Sequence, residues 1–415
     1  MKPVKNVLIG LVCLAVISIP VAAEVQPTAA VAAGKVEITS ATFKDVPSNH
    51  WATDAINYVA EKGYMAGYAG NVFRPAGTIT RAEFTVVIVR ISGLKAAKSA
   101  MFSDISRHWA SGAIQTAAAA GIVSTGEYGV EFHPNQAITR LEMAHMIAKA
   151  LAKVPAYATY LKAFSGLYNA DLPLEDYREM KKADVPYLAM AFGSRVMSGY
   201  ADASFGLNKK ATRAEAAAMF QTLSSVRGKK PESYQYLREL KEVAETGMNA
   251  VAVSKLIPQV NIVKDKPIVI EHANFTAKLK RVYVVPIKGE IRSMYERKYI
   301  WDRAVYPKGY LNGGKKGYSI AVADVTFKKS GQRTLYTQSL YMTPGSAFFY
   351  QTPYEHFGFI FPYMKPLYEV EKGKTVEITL YGAYGTNDNF RLIAFNANNA
   401  ISGGWHDVLL DPFGK

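Results

Sequence analysis

Three near-copies of one short motif limit what this chain can fold into. They read Ile79-Thr80-Arg81-Ala82-Glu83, Ile138-Thr139-Arg140-Leu141-Glu142 and Ala211-Thr212-Arg213-Ala214-Glu215. Apolar residues follow each at helical spacing: Phe84, Val87, Ile88 and Ile91; Met143, Met146, Ile147 and Leu151; Ala216, Met219, Phe220 and Leu223. Each motif therefore predicts a helix start. Thr followed three residues later by Glu is a capping box: the hydroxyl accepts from an early helix N–H and the carboxylate reaches back to the cap N–H. Thr80 with Glu83, Thr139 with Glu142 and Thr212 with Glu215 are capping residues on this reading. The intervening Arg has no such explanation, because a cation at the first helical position faces the positive end of the helix dipole. A guanidinium beside free helix N–H groups makes an anion site. On that view, removing one of these Arg residues should barely change folding stability.

The motif closes a longer repeat. Repeat one, 43–94, contains Phe43-Lys44-Asp45-Val46, His50-Trp51-Ala52, Ala55-Ile56, a Gly63-to-Tyr68 turn with Gly67, and Phe73-Arg74-Pro75. Repeat two, 95–152, has the same order: Phe102-Ser103-Asp104-Ile105, His108-Trp109-Ala110, Ala113-Ile114, Gly121-Ile122 and Phe132-His133-Pro134. Repeat three, 153–226, matches from Ala183 through Gly199-Tyr200 and Phe205. Its front is degenerate, opening at either Phe164-Ser165-Gly166 or Leu174-Glu175-Asp176, and about a dozen residues are inserted within 155–182. Each repeat reads as helix, loop, helix. A unit of two short helices cannot bury enough surface alone, so the three are expected to share a core and unfold together.

This ordered set resembles the surface-layer homology (SLH) domain of bacterial cell-surface proteins. The resemblance covers about 43–226. It implies an all-α, pseudo-threefold unit around a central helical bundle, with grooves that bind secondary cell-wall polysaccharide, an anionic polymer often carrying a pyruvate ketal. By resemblance, Arg81, Arg140 and Arg213 bind the anion, and Asp45, Asp104, Trp51, Trp109, Gly67 and Gly199 shape the sugar sites. From the residues alone, a core position is favoured over sugar stacking for Trp51 and Trp109. A structural role is favoured for His50 and His108.

Residues 1–23 read as a secretory signal: Lys2 and Lys5, an apolar stretch from Val7 to Ile19, and Val21-Ala22-Ala23 before cleavage. Residues 24–42 form a flexible leader. The only cysteine, Cys13, lies in the signal, which excludes disulfides and thiolate metal sites from the rest. No His pair has metal-ligand spacing, and neither a metal nor a cofactor is expected. The formal net charge is +15, or +13 without Lys2 and Lys5. A secreted basic chain is drawn to anionic surfaces. Wall polysaccharide and other surface-layer proteins are the expected partners; nucleic acid is not, nor a membrane once the signal is gone.

The fold class expected overall is a multidomain α+β chain. Residues 227–256 read as a basic linker and a helix, and 257–415 as an antiparallel β-sandwich or barrel. Strands are expected at 267–270, 278–285, 318–326, 333–341, 347–352, 375–381 and 390–395. The aromatic run from Phe348 to Tyr368 invites a sugar-platform reading, though a β-core is favoured. No nucleophile elbow or catalytic cysteine is present, and scattered carboxylates cannot be paired from sequence. The chain reads as a non-catalytic wall anchor that presents its β-region for binding or assembly. The alternatives are a wall-anchored enzyme acting on glycan or peptide, and a structural subunit of the surface layer.

Overall fold

The structure, a computed structural model, describes residues 43–254, 257–273, 275–286, 292–296, 315–333, 341–342, 368–385, 393–396 and 406–410. The expected signal, the leader, strand 347–352 and the aromatic run through Tyr363 lie outside these residues.

Repeat one folds as α1 (Thr53–Glu61) and α2 (Arg81–Ser92). Repeat two folds as α3 (Ser111–Ala119), a short α4 (Thr125–Tyr128) and α5 (Arg140–Leu151). Then come α6 (Pro155–Ala163), α7 (Val185–Gly193) and α8 (Arg213–Arg227). All three capping boxes are formed in both directions, at Thr80, Thr139 and Thr212. Helix α2 stops at Gly93, whose φ of 60° lets its N–H return to the Val89 and Arg90 carbonyls.

The helices pack between repeats in a closed cycle. Helix α1 of repeat one lies on α8 of repeat three, α3 on α2, and α7 on α5. The Phe84 and Phe220 rings meet at 4.7 Å, and the Tyr58 hydroxyl donates to Ser224 at 2.9 Å. Each front helix thus has its apolar face covered by the repeat before it, the last covering the first. The helices contribute to one continuous core. A single repeat is therefore expected not to fold alone, because its apolar face would be left uncovered.

The start of repeat three is now located. Asp45 accepts from the N–H groups of Phe73 and Arg74, both at 2.7 Å. Asp104 does the same for Phe132 and His133, and Asp176 for Phe205 and Gly206. Leu174-Glu175-Asp176 is therefore the opening, with Leu174 buried where Phe43 and Phe102 are buried. The extra residues precede it: nine residues, Gly93 to Met101, join α2 to Phe102, and twenty-two, Ala152 to Pro173, join α5 to Leu174.

The segment after α8 is tied to the repeats. Arg227 donates to the Ala150 and Ser92 carbonyls, and the Tyr157 hydroxyl to those of Val226 and Lys229. Helix α9 (Gln235–Thr246) buries Leu237, Leu240 and Val243 and ends at Gly247. A short α10 (Ala250–Val253) follows.

The remaining elements are β1 (Ile257–Pro258), β2 (Val269–Glu271), β3 (Phe275–Pro286), β4 (Lys315–Phe327), β5 (Gly331–Arg333), β6 (Tyr341–Met342), β7 (Tyr368–Val370), β8 (Thr375–Gly385), β9 (Ile393–Asn396) and β10 (His406–Leu410). The main antiparallel sheet has the order β2-β3-β4-β8; β1-β10-β9-β6 and β5-β7 pair separately. The antiparallel pairing agrees with the sequence reading, but the described residues establish neither a sandwich nor a barrel. One face of the main sheet meets helices rather than a second sheet: Tyr283, Val285, Ile320 and Val322 enter the helical core. The other face, including Val282, Val284, Ala321 and Ala323, packs with Met248 and α10.

Helix α9 also carries a pH-sensitive junction. Burial pushes the Glu242 carboxyl up to about 7, against hydrogen bonds from the Val251 and Ala252 N–H groups. Glu239, buried on the same helix, is likewise raised by burial. It accepts from Ser293, Asn249, Gln235 and the Met294 N–H. A raised folded pKa means the folded state binds the proton more tightly. The stabilisation is complete below the unfolded value near 4.5 and is lost as pH rises through about 7. Glu242 alone should cost about 3 kcal/mol across that window. Urea unfolding should therefore show lower stability at pH 8 than at pH 5, and Glu242→Gln should flatten the difference. An unchanged slope in that variant would assign the effect to other groups.

Candidate functional site

The three motif Arg residues occupy three equivalent clefts, each between one repeat and the next. Their helix N-termini are not open. The Arg81 N–H donates to the Gln136 carbonyl and the Ala82 N–H to that of Pro134, at 2.8 and 2.9 Å. Arg140 and Leu141 bond to Lys209 and Leu207, and Arg213 and Ala214 to Gly77 and Pro75. The third N–H of each helix is taken by the cap Thr. The free N–H groups on which the anion-site argument rested are thus occupied by carbonyls of the neighbouring repeat.

The side chains follow the same rule. Arg81, Arg140 and Arg213 are 6%, 4% and 3% exposed. Each guanidinium lies between a Tyr and a Phe of the next repeat: Tyr128 and Phe132, Tyr200 and Phe205, Tyr68 and Phe73. Each donates to that Phe's carbonyl. Arg140 and Arg213 also donate to the Ser198 and Ala66 carbonyls, one residue before Gly199 and Gly67. A Cβ on Gly67 would lie 2.4 Å from the Phe43 ring, and one on Gly199 would lie 3.1 Å from the Ser204 carbonyl. These glycines let the turn that receives the Arg close against the start of its own repeat.

The clefts differ in charge. Arg81 pairs with Glu142 at 2.5 Å, and Arg213 with Glu83 at 2.9 Å. Glu83 and Glu142 are thus caps of one helix and counter-ions to another repeat. Arg140 pairs with no carboxylate among the described residues. Its Nε and Nη2 are committed to carbonyls, and its Nη1 donates no hydrogen bond there. Glu215, the positional counterpart, makes no ion pair among them. Burial lowers the Arg140 pKa, outweighing the nearby Tyr200, Glu215 and Asp176, which favour its charge from beyond ion-pair distance. Exposed Lys209 adds a second cation, 3.9 Å from the Tyr200 ring.

Trp51 and Trp109 are not core residues, contrary to the favoured sequence reading. They are 66% and 40% exposed, against neighbouring His50 and His108 rings at 5.8 and 5.5 Å. Each His accepts from the N–H two residues on through Nδ1, which leaves Nε2 as the donor. In His108 this nitrogen meets the Asn135 side chain at 2.9 Å, beside the loop that receives Arg81. The imidazoles are structural here, and the indoles they support face solvent. Ala183 stands two residues before α7, where Trp51 and Trp109 stand before α1 and α3.

The profile of the S-layer homology domain matches residues 42–85, 102–144 and 173–217. The chain carries three S-layer homology domains. The third match begins where Leu174-Glu175-Asp176 opens the repeat. Among similar proteins, S-layer protein EA1 of Bacillus anthracis is 30% identical over 252 residues, covering 59% of this chain and 28% of that protein. Exoglucanase XynX of Acetivibrio thermocellus is 32% identical, covering 44% and 16%. A cellulosome-anchoring protein of the same organism is 33% identical, covering 30% and 29%. The chain spans less than a third of the length of each of these relatives. The three SLH domains and the S-layer relatives mark the chain as secreted and cell-wall-associated. No helix among the described residues is long and apolar enough to cross a membrane.

Sequence reasoning left the opening at Asp176 undecided, gave no role to Tyr68, Tyr128 or Tyr200, and did not identify the Glu partners of Arg81 and Arg213. Asp176 could have been found by counting: Asp45 and Asp104 each precede their Arg by 36 residues, and Asp176 precedes Arg213 by 37.

Proposed function

We infer that the chain anchors itself non-covalently to the wall by binding an anionic, pyruvylated secondary cell-wall polysaccharide through its SLH domains. The region after α9 is then non-catalytic cargo, presented for binding or assembly. The exposure of Trp51 and Trp109 at equivalent places carries the reading. An indole held face-out on an imidazole, beside a core that could have buried it, suits stacking on a sugar ring. The clefts add the anion preference. Arg81 and Arg213 are already neutralised by Glu142 and Glu83. Arg140 offers an unspent guanidinium edge next to Lys209, so the cleft between repeats two and three is the one that takes the ketal carboxylate. Asp45, Asp104, Gly67 and Gly199 shape the receiving loops without touching the sugar.

Co-sedimentation of the full chain with purified walls tests this. Binding should survive moderate salt, because a desolvated contact is screened less than surface charge. It should fall strongly when the ketal is removed. Binding that ignores the ketal and vanishes with salt would make the general basic charge the anchor instead. The S-layer relatives favour a second reading, a lattice subunit, which predicts ordered sheets of the purified protein in electron micrographs.

A further inference from the structure

We propose that the residues inserted before the third SLH domain, 155–172, are a socket that fixes the orientation of the C-terminal sheet relative to the wall anchor. No family match covers them, and the matching connection in the preceding repeat has only nine residues and no helix. What the insertion adds is helix α6, two 3-10 turns (Phe164–Gly166 and Asn169–Asp171) and, within the second, Asp171, which is 1% exposed.

Asp171 is the centre of a buried latch. Arg281 of β3, itself 5% exposed, grips it with Nε at 3.0 Å and Nη2 at 3.1 Å, and also donates to the Gly166 carbonyl. The Tyr283 hydroxyl donates to the same carboxylate at 2.6 Å, and the Tyr295 hydroxyl to the Asp171 carbonyl at 2.9 Å. The Tyr168 N–H supplies a further donor, and its ring lies 4.6 Å from the Arg281 guanidinium. A fork-to-fork pair with its remaining lone pairs satisfied is the arrangement in which a buried ion pair specifies one geometry.

Both sides are shaped for the contact. The pairing of β3 with β4 shifts between Leu279 and Arg281. Before the shift, Phe275, Ala277 and Leu279 face the α10 side; after it, Val282 and Val284 do. The bulge therefore turns Arg281 and Tyr283 toward the insertion. On the socket side, a Cβ on Gly166 would lie 2.5 Å from the Ala244 carbonyl, so the missing side chain lets α9 close on the turn. The C-terminal sheet is thus held by the anchor itself.

The single cysteine, Cys13, makes site-specific labelling of the full chain direct once it is changed to Ser. Spin labels at Glu61→Cys and Lys278→Cys, both exposed positions, should give one narrow distance distribution. Asp171→Ala and Arg281→Met should each broaden it. A distribution that is already broad in the parent, or stays narrow in both variants, overturns the proposal. If those variants fail to fold, Tyr283→Phe removes the hydroxyl that donates to Asp171 and keeps the ring. It should speed amide exchange by about 5- to 30-fold on both sides of the contact, in β3 and in 164–172. Faster exchange confined to one side, or none, would equally overturn it.

Discussion

Arg213→Ala should lower the unfolding free energy of the full chain by about 3–5 kcal/mol, and Arg81→Ala by a similar amount. An exposed ion pair is worth about 0–1 kcal/mol, so the burial decides the size. Arg213 is 3% exposed and donates to the Phe73 carbonyl, the Ala66 carbonyl and Glu83, each at 2.9 Å. Truncation strips those acceptors of a donor in a place water reaches poorly. It also opens the contact by which repeat three closes on repeat one. The helix-dipole argument had implied almost no change, because it considered only the helix that the Arg begins. The tertiary partners outweigh that term by several kcal/mol. Urea unfolding of the full chain measures the loss; a value below about 1 kcal/mol would mean that the Arg behaves as a surface residue.

The contrast shows what a sequence of this kind can disclose. Interactions within a repeat were readable. Thr80 and Glu83 are three residues apart, so the capping box needs no knowledge of the fold. The periodic apolar residues of α2, α5 and α8 likewise mark their buried faces. Interactions between repeats were not. The partners of Arg213 lie 130 to 147 residues earlier in the chain, and nothing near Arg213 names them. The same blindness put Trp51 and Trp109 in the core, because an indole at a helix entrance has the same local signature whether the next repeat covers it or not. Repeat three was hard to read for a different reason. Phe is replaced by Leu174, Trp is missing, and the inserted socket displaces the opening, while the Asp that braces its loop is retained. The insertion itself was legible from the spacing of the Arg residues, but not what it packs against, because Arg281 and Tyr283 lie more than a hundred residues later.

Arg140→Ala should weaken binding to pyruvylated wall polysaccharide by about 30- to 1,000-fold, and Arg81→Ala, measured where it is still folded, by much less. Arg81 is committed to Glu142 and its substitution acts mainly through stability. Arg140 makes no direct ion pair among the described residues, and burial lowers its pKa despite the more distant Glu215 and Asp176. An incoming ketal carboxylate would supply the missing anion to a cation whose desolvation has been met by the fold. Binding would then gain the charge-assisted contact without repeating that cost. Arg140→Lys keeps the charge but loses the planar fork, so its affinity should fall only partway. Calorimetric titration with intact and ketal-free polysaccharide separates the cases. Arg140→Ala should bind both forms almost equally, whereas the parent should strongly prefer the intact one. Equal losses for Arg81→Ala and Arg140→Ala would show that the uncompensated guanidinium confers no advantage, and the cleft between repeats two and three would lose its assignment as the ketal site.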